Sequence, residues 1–103
     1  MEKQMTLLGQ EVTVRDRIKY SEKVYAANEY ASMAVVFDEE NGIAYMSFLS
    51  DAVGEYVILK AYTTMDMSGY EGYDGLCKLM DDIEDNPLDE FKKFIGKDCE
   101  TLL

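Results

Sequence analysis

The spacing of hydrophobic positions changes along the chain, and each change marks an element. In Met5–Val14, Leu8, Val12 and Val14 fall on one parity, and Val and Thr favour strands. Gly9 and Gln10 offer a turn, so residues 1–15 predict a short β-hairpin, with a single extended arm as the alternative. Two short strands are marginal alone, so they must pack on helices. Val24, Ala27, Ala31, Ala34 and Val35 then recur at helical spacing, with Glu22, Lys23, Glu29 and Ser32 opposite. This predicts a helix over 16–36, started by Thr13 with Asp16 or by Ser21, whose alanine stripe packs closely on another helix.

Asp38-Glu39-Glu40-Asn41-Gly42 breaks the pattern, and Asn-Gly is a strong turn signal. A second stripe follows: Tyr45, Leu49, Ala52, Val53, Tyr56, Val57 and Lys60, widened by Phe48, Leu59 and Tyr62. Ser50-Asp51 offers a later start for this helix. Gly54 weakens it by about 1 kcal/mol relative to Ala, in exchange for close approach of the first helix. Tyr56–Leu59 also reads as a strand, but the longer window favours helix.

Residues 64–75 hold a near-repeat, Gly69-Tyr70-Glu71-Gly72 and Gly72-Tyr73-Asp74-Gly75, and predict a loop. Leu76, Leu79, Met80 and Ile83 sit at i, i+3, i+4 and i+7, the clearest helical pattern in the chain. Asp81, Asp82, Glu84 and Asp85 oppose the dipole at its end and predict that the helix frays or stops there. Asn86-Pro87 suits an N-cap and first helical position, ahead of the stripe Leu88, Phe91, Phe94 and Ile95. Gly96 predicts the stop, leaving a tail that docks through Leu102 and Leu103. The reading is a mainly α, four-helix small domain with a short N-terminal β-hairpin or extended arm. Its parts are a β arm at 1–15, two helices at 16–63, the Gly/Tyr/acidic loop at 64–75 and C-terminal helices at 76–103.

Composition narrows the function. The 103 residues suit one domain, and a 48% hydrophobic content supplies a core. Ten basic against 21 acidic residues give a net charge of -11, which repels phosphates and anionic membranes. The expected partner is a protein with a basic surface, not nucleic acid or membrane; self-association stays open. Histidine is absent, which removes the commonest general base and the usual triads. The glycines at 69, 72 and 75 lack the Lys-Ser/Thr end of a phosphate loop. Cys77 and Cys99 are too few for a zinc site, and the acids at 81–90 miss the spacing of a calcium loop. No cofactor, metal or catalytic residue is expected. The polar start Met1-Glu2-Lys3-Gln4 leads into no long apolar run, so a cytoplasmic protein is expected, in an infected bacterium if the chain is viral.

Acidity concentrates between Asp66 and Glu90, where nine acids face one base, Lys78. Tyr70 and Tyr73 lie in the same region, and tyrosine is favoured at interfaces. Tyr70, Glu71, Tyr73, Asp74, Asp81, Asp82, Glu84 and Asp85 are therefore the candidate protein-binding residues. In the ordinary alternative the acids only solvate the surface and the tyrosine rings fold back on the core. Carboxylates at this density also suit a mimic of nucleic acid that fills a basic groove.

The order of features resembles small proteins of tailed-phage structural gene modules. The matching phrases are Leu7-Leu8-Gly9-Gln10-Glu11-Val12-Thr13-Val14, Ile58-Leu59-Lys60-Ala61-Tyr62-Thr63-Thr64 and the acidic tyrosine loop. The resemblance implies a phage protein that binds phage or host proteins, such as a tail assembly chaperone or an accessory factor. In size and charge the chain is also similar to anti-CRISPR and anti-restriction inhibitors.

Overall fold

The computed structural model describes the backbone of residues 1–38, 42–45 and 47–100, and the side chains of these outside 34–49. Strands β1 (Glu2–Leu7) and β2 (Gln10–Arg15) form an antiparallel hairpin, followed by helix α1 (Tyr20–Ala34). A second antiparallel pair, β3 (Val35–Asp38) and β4 (Gly42–Tyr45), leads to α2 (Ser47–Tyr62). One turn of 3-10 helix (Ser68–Tyr70) precedes α3 (Gly72–Asp85) and α4 (Asp89–Cys99). The mainly helical architecture with an N-terminal hairpin agrees with the sequence reading.

In the first hairpin the turn is Leu8–Gly9, with φ +50 and +81, and Leu7 pairs Gln10. Positive φ at both central residues matches strand twist. The predicted Gly9–Gln10 turn is therefore displaced by one residue. The slip moves the inward face to Met5, Leu7, Val12 and Val14, all buried. Leu8 tolerates an unfavourable backbone conformation while its side chain packs, half-buried, on the core. Thr63 bridges Val14, and the Thr64 amide donates to the Thr13 carbonyl at 3.1 Å. The Gln10 amide group then exchanges hydrogen bonds with the Asp66 backbone, both at 3.1 Å. Residues 63–66 thus run beside β2, with Met65 and Met67 buried, so this part of the predicted loop is built into the body.

Helix α2 is the centre of the molecule. Ala52, Val53, Tyr56, Val57, Leu59 and Tyr62 are buried, and α1 and α3 both pack on it. Gly54 faces the Tyr30 ring of α1, where a Cβ would sit at 3.7 Å, an ordinary contact. From the other helices Leu76, Leu79, Leu88, Phe91 and Ile95 complete the core.

Four boundary expectations are corrected. Helix α1 starts at Tyr20: Thr13 lies within β2, and Glu22 caps the helix by accepting from the Lys19 amide at 3.1 Å. Residues 35–38 and 42–45 are strands, where the helical reading had run on through Val35 and resumed at Tyr45. Asn86 ends α3, its amide and side chain both donating to the Asp82 carbonyl, and α4 begins two residues after Pro87. Helix α4 also continues through Gly96 to Cys99. Asn41 of the predicted turn, the side chains of Tyr45, Phe48 and Leu49, and the tail residues Leu102 and Leu103 lie outside the described residues.

Candidate protein-interaction site

The glycine-rich segment is shaped by packing, not left loose. Gly72 opens α3 at φ +74, a conformation that favours glycine. A Cβ on Gly75 would stand 2.3 Å from the Tyr70 carbonyl carbon, so α3 lies directly against the 3-10 turn. That close approach turns Tyr70 inward. It is 5% exposed, correcting its expected role as an exposed anchor. Its hydroxyl donates to Asp82 at 2.7 Å, and Lys78 bonds the same carboxylate oxygen at 3.0 Å. Burial first, then the carboxylate, pushes the Tyr70 hydroxyl up to about 12. The same hydroxyl, with Lys78, holds Asp82 below the usual carboxylate range. Asp82 is thereby committed to internal bonding.

Six of the eight predicted residues stay exposed: Glu71, Tyr73, Asp74, Asp81, Glu84 and Asp85. Asp74, Asp81, Glu84 and Asp85 share the face of α3 opposite Leu76 and Leu79, with Tyr73 52% exposed at the same end as Asp74. They span about 16 Å along the axis. Their three intervals average about 5.5 Å, wider than the 3.4 Å phosphate spacing of one DNA strand, and the acids are densest from Asp81 to Asp85.

Sequence reasoning missed a second surface, on α1. The expected buried stripe is inverted. The side facing the body carries Glu22, Lys23, Ala26, Glu29, Tyr30 and Met33, of which only Ala26 is fully buried. Its charges are matched by partners on other elements. Arg15 of β2 grips Glu22 with two hydrogen bonds, at 2.7 and 3.3 Å, and also donates to the Ala61 carbonyl at 2.8 Å. Lys60 of α2 pairs with Glu29 at 3.1 Å, and Lys23 with Asp98 of α4 at 3.0 Å. Asp98 also accepts from the Tyr62 hydroxyl at 2.8 Å and the Ile18 amide at 3.1 Å. Burial opposes ionisation of Asp98, yet Tyr62, Lys23 and the Ile18 amide together hold its carboxyl below the usual range. Burial, reinforced by that carboxylate, pushes the Tyr62 hydroxyl far up.

The opposite side of α1 is exposed and carries Tyr20, Ser21, Val24, Tyr25, Ala27, Asn28, Ala31 and Ser32. None is charged. Tyr20 is 83% exposed, Tyr25 77% and Val24 44%. Tyr25 overhangs a groove of about 230 Å³ between α1 and α2 that the Arg15–Glu22 and Lys60–Glu29 pairs line. The signal available in the sequence was the position of charges: Glu22, Lys23 and Glu29 lie where ions from three other elements meet them.

Among the described residues, no group of three metal-binding side chains converges, and no helix is long and apolar enough to cross a membrane. No family model, curated protein or solved structure matches the chain.

Proposed function

We propose that the chain is a non-enzymatic protein-binding module, and that the exposed face of α3 engages a basic partner. It acts in assembly of a larger structure or as an accessory factor, in keeping with the resemblance to phage gene modules. The observation that supports this is the shared face of Asp74, Asp81, Glu84 and Asp85 beside a half-exposed Tyr73. Exposed carboxylates supply orientation and encounter rate, and tyrosine supplies contact area. The test is affinity capture with the wild type and with a variant carrying Asp74→Asn, Asp81→Asn, Glu84→Gln and Asp85→Asn. Wild type retains a protein partner and the variant loses it, with far-UV circular dichroism unchanged. Equal capture by both removes α3 from the interface.

The exposed run of acids from Asp81 to Asp85 supports one further reading, a mimic that occupies a nucleic acid groove in a defence nuclease. In that case duplex DNA competes with the chain for its partner, and affinity falls steeply with salt because exposed charges are screened over about 8 Å at physiological ionic strength. A captured partner that binds the chain and DNA simultaneously rules this reading out.

A further inference from the structure

The few cations of this acidic chain are not all used alike. Lys3, Arg15, Lys23, Lys60, Lys78 and Lys92 each pair with a carboxylate. The side chains of Arg17, Lys19, Lys93 and Lys97 make no hydrogen bond or ion pair among the described residues. In a chain with 21 acids there is no shortage of carboxylates to pair with, yet Arg17, Lys93 and Lys97 line one cleft together. The cleft holds about 420 Å³. The link from β2 to α1 supplies Asp16 and Arg17, and α4 supplies Lys93, Phe94, Lys97 and Asp98. Both of its acids are already met, Asp98 by Lys23 and Asp16 by the Met1 ammonium, each at 3.0 Å. The cleft is therefore a positive spot in a molecule of net charge -11.

We propose that this cleft binds a short acidic segment of a partner protein, one in which carboxylates alternate with apolar side chains. Charge complementarity sets the sign of the ligand. Spacing fits it as well. Lys93 and Lys97 stand four residues apart on α4, about 6 Å along the axis. Carboxylates two residues apart on an extended chain are separated by roughly 6.6 Å. The Arg17 guanidinium offers the fork that a carboxylate accepts with two parallel bonds. The lining is also partly apolar. Phe94 is half-buried, and the lysine stems beside it are hydrocarbon up to their charged tips. An apolar side chain covers that surface; a bare phosphate does not.

The net charge limits the length of the ligand. Exposed charges are screened beyond about 8 Å, so a few carboxylates seated in the cleft respond mainly to the cations beside them. A nucleic acid or an anionic membrane extends past the cleft and over the acids of the surrounding surface, which repel it. A second copy of the chain brings its own -11 and meets the same repulsion. The site is separate from the α3 face and does not depend on it.

Two-dimensional NMR of the full chain, titrated with the peptide acetyl-Leu-Glu-Leu-Glu-Leu-amide, tests the proposal. Amide signals of residues 16–19 and 93–98 should shift and saturate at millimolar peptide or below. Arg17→Gln and Lys97→Gln should each weaken binding by about 10-fold, the loss of a charge-assisted contact. Lys19→Gln removes the same charge outside the cleft and should change affinity by less than about twofold. All three side chains are exposed and unpaired among the described residues, so signals elsewhere should keep their places and report an intact fold. Serine in place of leucine in the peptide should weaken binding, and inorganic phosphate and duplex DNA should leave the cleft signals unmoved. Absence of shifts at millimolar peptide overturns the proposal, as does an equal loss in all three variants. Phosphate or DNA that binds more tightly than the peptide overturns the acidic segment in favour of a phosphate ligand. Cleft signals that shift when the chain alone is concentrated overturn it in favour of a second copy.

Discussion

Two carboxylates and two tyrosines organise the polar interior, and they set how stability follows pH. Asp98 and Asp82 have lowered pKa values in the folded state, as do Glu22, Asp66 and Glu90, each through a hydrogen bond or ion pair formed on folding. The unfolded chain takes up protons first as pH falls. Their contribution is therefore present above the ordinary carboxylate pKa of about 4 and is lost below it. The melting temperature should be level from neutral pH down to about 5 and fall steeply below 4. Tyr62 and Tyr70 act in the other direction. Their hydroxyls are raised on folding, so their contribution is intact below the ordinary tyrosine pKa of about 10 and is lost as pH rises beyond it. Burial raises the Tyr56 hydroxyl as well, so tyrosinate absorbance should show three late-ionising groups among the described residues, and Tyr62→Phe should remove one of them. Asp98→Asn removes the carboxylate charge that Lys23, the Tyr62 hydroxyl and the Ile18 amide share and should cost roughly 1–3 kcal/mol in denaturant unfolding at pH 7. Its acid transition should also be shallower. A variant as stable as wild type would show that the three groups around Asp98 are held by packing alone.

At the scale of elements, two glycines make opposite predictions. Gly54→Ala places a methyl in ordinary contact with the Tyr30 ring and reduces the unfolded chain's backbone entropy in the middle of α2, so it should stabilise by up to about 1 kcal/mol. Gly75→Ala drives a Cβ into the Tyr70 backbone and should destabilise by roughly 1–3 kcal/mol. Thermal melts of both variants check the pair; a tolerated Gly75→Ala would mean that the 3-10 turn can move off α3. The contrast also marks what the sequence made legible. Leu76 and Leu79 were readable because every third or fourth position of α3 is apolar and nothing competes with that period. The near-repeat at 69–75 read as a loop because glycine reports permissive backbone, and the sequence alone does not tell a loose segment from a tightly packed one. Tyr70 was misplaced for that reason. Helix α1 failed differently: its alanine stripe was read as core, but the ions that draw Glu22, Lys23 and Glu29 inward come from β2, α2 and α4. Partners 7, 31 and 75 residues away fall outside any helical window, so only the positions of the charges themselves marked the inward side. The exposure of the α3 acids follows from their place opposite a strong apolar stripe.

Across the whole molecule, charge is divided by element. Acids dominate the outer side of α3, while α1 shows solvent no formal charge on its outer side. With a net charge of -11, added salt should raise the melting temperature by screening self-repulsion. A salt scan at fixed protein concentration checks this. The stitch between β2 and residues 63–66 has a kinetic consequence. Thr13 and Thr64 are bonded across 51 positions, and everything from α1 to the end of α2 lies between them. That enclosed segment must collapse before the stitch can close, because loop closure is an entropic toll that only helix packing repays. The β1–β2 turn can form early from neighbours in sequence, but its docking belongs late on the folding route. Destabilising the stitch, as with Thr64→Ala, should therefore speed unfolding while leaving the refolding rate nearly unchanged.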